Sequence, residues 1–277
     1  MSLKSRYTTA CVTGASSGLG RAIAQALRRE GLQVWGTSRR PDALTLSAEQ
    51  GAQHWLALDL ADPESLDAFL QRLQQDDLSF DIFVNNAGFG ATYPFEQFPP
   101  ASIERQLTVL LTAPAQLCRA VYPRMLRRGS GCLVNVSSLA AEFPLPFLSL
   151  YNASKAGLSA LSRSLDLECP TPDLRILDFR PGDFRTNFAD ATEMPVDENA
   201  PARADFRSSC RRQRAMMASA PTPERAAADL VRALERGRRG TVRSGQFFQA
   251  RLGPFLARGA TWPLLRTILR RYLGMRG

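Results

Sequence analysis

Histidine, lysine and closely spaced cysteines are scarce in this chain of 277 residues. His54 is the single histidine, so a metal site built on histidines is not expected, and we predict no metal. The five cysteines lie far apart and never form a C-x-x-C pair. This spacing argues against a zinc site or a disulfide framework, and it favours free buried thiols in a reducing compartment.

The sequence also lacks long apolar runs, and it lacks acidic residues near its C-terminal end. No charge-free apolar run reaches about 18 residues, so no helix is expected to span a bilayer. The N-terminal residues lead directly into a strand and a glycine loop, without the apolar stretch of a signal peptide, so we predict a cytoplasmic protein. No Asp or Glu follows Glu235, which places much of the net charge of +9 in a basic C-terminal tail.

What is present is enough apolar material, 44% of the residues, for a sizeable core. Short apolar runs alternate with helical periodicity over the first two-thirds of the chain, which is the pattern of βαβ units and a parallel sheet. The predicted strands are 9–13, 33–37, 54–58, 82–84, 132–136, 175–179 and 241–243. The predicted helices are 19–30, 63–75, 101–127 and 151–168.

We therefore predict the α/β fold class, with a doubly wound, Rossmann-type parallel sheet in three α/β/α layers. Residues 1–250 are expected to form a single domain. Within it, residues 187–222 have weak periodicity and are predicted to be a substrate lid or insertion. Residues 251–277 form the basic tail, in which an amphipathic helix is predicted from Pro263 onward.

A glycine-rich stretch, TGASSGLG at 13–20, follows the first strand and opens the first helix. Glycines there let the backbone approach a pyrophosphate, which binds to free N–H groups at the positive end of the helix. The same residues, Gly14-x-Ser16-x-Gly18, also match the nucleophile elbow of a serine hydrolase, and a plain structural turn is a third interpretation. The hydrolase needs a histidine late in the chain, whereas His54 comes early, so we favour dinucleotide binding.

Tyr151 and Lys155 are four residues apart in a predicted helix, so their side chains emerge from the same face. A phenol with a pKa near 10 is a poor base at neutral pH, and a nearby ammonium lowers that pKa towards a useful value. Lys155 and Lys4 are the only lysines, which suggests that a compact ammonium is needed at position 155. An isolated Y-x-x-x-K is more often a half-buried tyrosine beside a surface lysine, so the pair needs support from other motifs.

Six motifs, in the expected order, resemble those of the short-chain dehydrogenase/reductase family over roughly residues 7–190. They are TGASSGLG at 13–20, LDL around Asp59, NNAG at 85–88, VNVSS at 134–138, YNASK at 151–155 and RPG at 180–182. The resemblance implies that Tyr151 is the general acid/base and that Lys155 lowers its pKa and holds the nicotinamide ribose. It also implies that Ser138, rather than Ser137, binds the substrate oxygen together with Tyr151.

The resemblance assigns the cofactor contacts as well. It implies that Asp59 binds the adenine, that Asn86, Ala87 and Gly88 line the adenosine side, and that Thr186 contacts the nicotinamide carboxamide. The remaining contacts come from the glycine loop, with Gly14, Ser16, Ser17, Gly18, Leu19 and Gly20. Asn85 is expected to brace the sheet instead.

The end of the second strand bears on the choice between NADP(H) and NAD(H). An acidic residue there would bind a ribose 2′-hydroxyl and select NAD, but the sequence has Ser38 followed by Arg39. A guanidinium suits a 2′-phosphate, although Arg39 also fits an ordinary solvated charge. We predict a preference for NADP(H) over NAD(H).

One position departs from the family pattern. The family usually has an asparagine in the long helix before the serine strand, where it helps to hold a water between the lysine and solvent, and here Leu110 occupies that position. Two hypotheses follow: an oxidoreductase that moves hydride between NADP(H) and a carbonyl or secondary alcohol, or a non-catalytic NADP(H)-binding sensor or scaffold. We favour the oxidoreductase because Ser138, Tyr151 and Lys155 are intact.

Substrate and partners are harder to predict. Apolar residues cluster near the motifs and suit a lipophilic alcohol or ketone, although they also suit core packing or subunit contacts. They are Phe89, Phe95, Leu145, Pro146, Phe147, Leu148, Phe184 and Phe188. We expect a homo-oligomer, a dimer or tetramer, and no nucleic acid. For the basic tail, packing on the body or a partner subunit is favoured over an anionic membrane surface.

Overall fold

A computed structural model describes residues 2–43, 51–186, 188, 192–194, 204–254 and 259–275. In these ranges a seven-stranded sheet has the order β3-β2-β1-β4-β5-β6-β7, and every neighbouring pair is parallel. The strands are β1 (Thr9–Val12), β2 (Gln33–Ser38), β3 (His54–Ala57), β4 (Ile82–Asn85), β5 (Gly131–Val136), β6 (Leu174–Pro181) and β7 (Gly240–Ser244). The strand order reverses direction between β1 and β4, which makes the carboxyl edge there the expected binding crevice.

Helices cover both faces of the sheet. They are α1 (Gly18–Arg29), α2 (Pro63–Gln75), α3 (Pro100–Leu107), α4 (Ala113–Arg128), α5 (Ser149–Glu168), α6 (Ala204–Ala218), α7 (Pro223–Glu235) and α8 (Trp262–Tyr272). The buried residues of α1 and α7 belong to one apolar cluster, and those of α2 and α4 belong to a second cluster on the opposite face. The predicted doubly wound α/β fold with three layers is confirmed.

The central strands explain why the sheet is covered on both faces. Each residue of β4, β5 and β6 is buried, so these strands show no alternation between a buried and an exposed face. Helix α1 buries Ile23 and Leu27 against the sheet, and Gly31 follows it with a φ of 87°, which ends the helix as predicted.

The predicted helix 101–127 is interrupted in the structure. A π-helical turn, Thr108–Thr112, separates α3 from α4 and contains Leu110. Such a turn inserts one residue into the helix and is common near functional sites, but no Gly or Pro in residues 101–113 marks its position. The sequence pattern alone therefore predicts one continuous helix.

The C-terminal third holds more helix than predicted. Helix α6 lies within the segment 187–222, where an irregular insertion was expected, and α7 lies outside all the predicted elements. Residues 187, 189–191 and 195–203 of that segment are outside the described residues. The role of 187–222 as a lid and the domain boundary near residue 250 stay predictions.

The helix predicted from Pro263 is confirmed as α8. Its end packs on the body, because Leu273 and Met275 are buried and the Arg212 side chain donates to the Tyr272 carbonyl at 3.3 Å. The side chains of Trp262, Leu264 and Ile268 remain exposed. Among the described residues, no helix has the length and apolar character needed to cross a membrane.

The core packing makes one stability prediction. Leu117 on α4 is completely buried, whereas Leu167 on α5 is 89% exposed. We expect Leu117→Ala to lower the free energy of unfolding by about 2–5 kcal/mol, because it leaves a cavity in the apolar cluster. The matched change Leu167→Ala should alter it by less than about 0.5 kcal/mol. Urea denaturation of both variants provides the measurement, and equal losses would contradict this packing.

Candidate active site

Ser138 and Tyr151 meet at the carboxyl edge of the sheet. Ser138 follows β5, and its hydroxyl accepts a hydrogen bond from the Ala140 amide at 3.1 Å, which fixes the turn that leaves the strand. Tyr151 lies in the first turn of α5, and its hydroxyl is hydrogen-bonded to the Ser138 side chain. The structure therefore brings these two predicted site residues into direct contact.

Lys155 lies one turn further along α5 and is buried. Its ammonium donates a hydrogen bond of 2.8 Å to the Val136 carbonyl at the end of β5. The Nζ atom is 5.8 Å from the centroid of the Tyr151 ring. The predicted trio of Ser138, Tyr151 and Lys155 is thus assembled by one strand end and one helix.

The pKa values differ from the expectation that Lys155 lowers the pKa of Tyr151. Burial raises the pKa of Tyr151; the Ser138 hydrogen bond opposes this rise, and the charge of Asp183 adds to it. Burial also lowers the pKa of Lys155 to about 8, against the opposing charge of Asp178. Desolvation is therefore the largest influence on both groups, and a phenol whose pKa is raised carries its proton at neutral pH.

Asp178 is a buried carboxylate behind Lys155 that the sequence motifs did not identify. It accepts hydrogen bonds from Arg180 Nε at 2.7 Å, from the Ser159 hydroxyl at 2.8 Å and from the Ser137 hydroxyl. The Ser137 hydroxyl is therefore committed to the interior, which agrees with the choice of Ser138. The sequence feature that could have identified it is a charged residue within the otherwise apolar stretch 176–179.

Asp183, in the loop after β6, is a second carboxylate that the motifs did not identify. Its Oδ2 accepts a hydrogen bond of 2.7 Å from the side-chain amide of Gln249. Gln249 lies in a π-helical turn, Phe248–Leu252, and its amide nitrogen is also 3.3 Å from the Tyr272 hydroxyl. This contact joins residues far apart in sequence, so no local pattern predicts it.

The glycine loop has the shape that a pyrophosphate requires. Gly14 and Gly18 have φ values of 65° and 52°, which few residues other than glycine adopt. A methyl group at Gly20 would lie 2.3 Å from the Gly14 carbonyl and 2.4 Å from the Asn86 side chain. The loop residues Ser16, Ser17 and Leu19 surround the N-terminus of α1, whose amides provide anion-binding donors.

The NNAG motif packs directly against this loop. The Thr13 hydroxyl accepts hydrogen bonds from the amides of Asn86 and Ala87, at 2.9 and 3.0 Å. The Asn86 side chain donates to the Thr13 carbonyl at 2.9 Å, while Asn85 donates to Asn135 at 2.8 Å and braces β4 against β5. On the opposite side, a methyl group at Gly18 would lie 3.5 Å from Thr186 Cβ.

These residues fit a dinucleotide, because the positive-φ glycines of the loop leave the N-terminus of α1 without bulky side chains, where its amides can bind a pyrophosphate. The predicted adenosine contacts lie at its margin. Arg39 is exposed at the end of β2, where the Ser38 hydroxyl accepts a hydrogen bond of 3.2 Å from the Arg40 amide. Asp59 follows β3, and its carboxylate accepts a hydrogen bond of 2.9 Å from the Ala61 amide.

Leu110 fills the space where the family pattern has an asparagine. It is fully buried in the π-helical turn, and its Cδ2 atom would lie 2.7 Å from a methyl group at Gly88. The same point is 3.9 Å from Lys155 Nζ. Glycine at position 88 therefore makes room for the leucine, which is an apolar neighbour of the ammonium.

The structure gives the hydrolase interpretation no catalytic base. His54, the only histidine, is exposed on β3 and stacks on Trp35 with ring centroids 4.5 Å apart. This stacking holds the His54 imidazole against Trp35 of β2, and the imidazole does not reach Ser16. In the described ranges no three His, Cys, Asp or Glu side chains come together as metal ligands.

The apolar residues near the motifs divide into different roles. The Phe188 ring packs edge-on against Tyr151, with centroids 5.9 Å apart, whereas Phe184 belongs to the core and Phe95 is exposed. Phe147 packs edge-on against Phe206 of α6. A cavity of about 630 Å³ opens nearby, lined by Arg185, Thr186, Thr192, Met194, Arg214, Met217 and Ala218.

Part of the predicted lid is held down at this opening. Glu193 forms an ion pair with Arg105 of α3 and accepts a hydrogen bond of 2.9 Å from the Ser102 hydroxyl. The Glu193 backbone also pairs with the segment around Ala91, next to the NNAG motif. These contacts hold residues 192–194 against α3 and against the segment around Ala91.

Comparison with known proteins agrees with this geometry. Residues 8–196 match the short chain dehydrogenase family. A 3-ketodihydrosphingosine reductase of Bacteroides thetaiotaomicron is 31% identical over 179 residues, which is 65% of this chain and 65% of that protein. A short-chain dehydrogenase of Streptomyces avermitilis has a TM-score of 0.77 at 29% identity, over 96% of both chains. Another, from Sphingobium yanoikuyae in complex with NADPH, has a TM-score of 0.68 at 29% identity, over 85% of this chain and 87% of that one.

The chain belongs to the short-chain dehydrogenase family, as its six motifs predicted. It spans just under two-thirds of the length of the Bacteroides protein that it matches. The similarity to the Streptomyces protein extends over nearly the whole chain.

The buried lysine makes a prediction about stability and pH. Because the pKa of Lys155 falls from 10.5 to about 8 on folding, the unfolded chain binds more protons between these values. The free energy of unfolding should therefore rise with pH from about 8 to 10.5, relative to Lys155→Met, by roughly 2–3 kcal/mol. Denaturation with urea at several pH values measures this difference.

Lys4→Met, which changes the exposed second lysine, controls for the loss of a lysine charge. A difference between the wild type and Lys155→Met that stays constant across this pH window would contradict the burial of a titrating ammonium.

Proposed function

We propose that the protein is an NADP(H)-dependent oxidoreductase that transfers hydride between the nicotinamide and a carbonyl or secondary alcohol carbon. The contact between Ser138 and Tyr151, with Lys155 one helical turn away, is the observation that carries the proposal. These groups lie at the carboxyl edge of the sheet beside the glycine loop. The cofactor, when bound, supplies or accepts the hydride.

The three side chains have complementary roles in this proposal. The Ser138 hydroxyl donates a hydrogen bond to the substrate oxygen and orients it towards Tyr151. Because burial raises the pKa of Tyr151, the phenol carries its proton at neutral pH and can give it to the oxygen of a carbonyl during reduction. Lys155 would hold the nicotinamide ribose hydroxyls, with its ammonium already anchored on the Val136 carbonyl.

The preference for NADP(H) is supported by charge at the end of β2. Ser38 leaves that position without a carboxylate, and the exposed Arg39 offers a guanidinium to a 2′-phosphate. The related Sphingobium protein was solved with NADPH. NAD(H), which lacks this phosphate, gains nothing from Arg39.

A lipophilic substrate is supported by the apolar side chains around Tyr151. Phe188 packs edge-on against the phenol, and Leu139 lies next to the loop that contains Gly182. The name of the Bacteroides relative is that of a reductase acting on a ketone. We propose a ketone or alcohol with an apolar part, handled in the cytoplasm by a homo-oligomer.

Leu110 favours a second candidate, a non-catalytic NADP(H) sensor or scaffold. The leucine is an apolar neighbour of Lys155 where an amide would support proton exchange with solvent. Both candidates bind the nucleotide, and only the oxidoreductase consumes it.

The central test changes Tyr151 to Phe. Loss of the hydroxyl removes the proton donor, so we expect kcat for a panel of lipophilic ketones with NADPH to fall about 100- to 10,000-fold. NADPH affinity, measured by calorimetry, should stay within about threefold. Wild-type binding of NADPH without oxidation by any ketone of the panel would favour the sensor, and unchanged turnover of Tyr151→Phe would refute the role of the phenol.

Cofactor selectivity is tested by Arg39→Asp. The carboxylate repels a 2′-phosphate and can bind a ribose 2′-hydroxyl, so we expect the ratio of kcat/KM for NADP(H) over NAD(H) to fall at least about tenfold. Arg127→Asp, an equal charge change at an exposed site on α4, is the control. Unchanged selectivity in Arg39→Asp would exclude this guanidinium as the selecting group.

A further inference from the structure

Two hydrogen-bond acceptors at the loop that follows β6 have no part in the proposed proton transfer. One is the Asp183 carboxylate, whose negative charge adds to the rise in the pKa of Tyr151 that burial causes. The other is the side-chain oxygen of Gln249. Because the Gln249 amide nitrogen donates to Asp183 at 2.7 Å, the two side chains form one unit, which we call the Asp183–Gln249 pair.

The Gln249 oxygen is fixed in place and lacks a donor. Its amide nitrogen contacts both the Asp183 carboxylate and the Tyr272 hydroxyl, which fixes the orientation of the amide and therefore the position of its oxygen. The oxygen is buried and has no hydrogen-bond partner within the described part of the chain. A methyl group at Gly182 would lie 2.9 Å from it, so it packs against the loop that follows β6. A buried acceptor of this kind is unfavourable until a donor reaches it.

The Asp183 charge is also uncompensated. Burial raises its pKa, against the hydrogen bond from Gln249. No Lys or Arg of the described residues forms an ion pair with it, whereas the buried Asp178, within β6, is paired with Arg180. A cation carried by a ligand would therefore give Asp183 the positively charged partner that Asp178 already has in Arg180.

Apolar groups stand beside these acceptors. Leu139, which follows Ser138, would lie 3.0 Å from a methyl group at Gly182, and Phe188 packs edge-on against the Tyr151 ring. A ligand reaching the Asp183–Gln249 pair from Tyr151 thus has a polar end near the reacting oxygen and apolar surroundings beyond it.

We propose that the Asp183–Gln249 pair binds an ammonium group of the substrate, close to the carbonyl or alcohol carbon that reacts at Tyr151. This inference rests on the proposed function and names its substrate class: amino ketones and amino alcohols with an apolar chain. An ammonium suits the pair better than a neutral hydroxyl, because it carries positive charge and has three donors for the two acceptors.

The test compares ligand binding to the NADPH-loaded protein by calorimetry, with a long-chain 2-amino alcohol and the diol of the same chain length. We expect the wild type to bind the amino alcohol about 10- to 100-fold more tightly. Asp183→Asn keeps the shape and can still accept from Gln249, but it lacks the charge, so this preference should disappear while NADPH affinity is unchanged. Asp67→Asn, on the exposed side of α2, should keep the preference.

Equal binding of the two ligands by the wild type, or a preference that survives in Asp183→Asn, would overturn the ammonium subsite. NADPH-dependent reduction of the two corresponding ketones, one with the amino group and one without it, distinguishes failure of the subsite from failure of the proposed function. Reduction of the neutral ketone without preference for the amino ketone would refute the subsite alone. Charge-dependent binding of the amino alcohol without reduction of either ketone would support the subsite and refute the proposed function.

Discussion

The hydrogen bond from Lys155 Nζ to the Val136 carbonyl ties the start of α5 to the end of the central strand β5. Burying an ammonium there is costly, and the pKa of about 8 shows that burial outweighs the favourable charge of Asp178. The position of Tyr151 follows from this anchor, because it lies one turn earlier on the same helix face. Ser138 then reaches Tyr151 from the turn that leaves β5, so the trio depends on one strand end.

Two carboxylates near this anchor, one buried and one half-buried, have different partners. Asp178 has Arg180, Ser159 and Ser137 as partners, which satisfy its carboxylate within the interior. Asp183 has one amide partner, on a turn that is more than sixty residues away in sequence. Asp178 therefore stabilises the interior behind the site, whereas the charge of Asp183 is available to a ligand.

Much of the site follows from local sequence. The glycine loop, the strands and the Tyr151–Lys155 spacing depend on residues a few positions apart, and each was predicted from its pattern. The π-helical turn at Leu110, the Gln249 contact and the raised pKa of Tyr151 depend on packing between distant segments. A linear pattern contains no information about desolvation, which raises the pKa of Tyr151 in this structure.

A crystal structure of the protein with NADP⁺ tests the central claim most directly. The account predicts the pyrophosphate at the N-terminus of α1, with Lys155 Nζ about 3 Å from the nicotinamide ribose hydroxyls and the Tyr151 hydroxyl facing the nicotinamide ring. A nucleotide bound elsewhere, or one whose ribose lies away from Lys155, would contradict it.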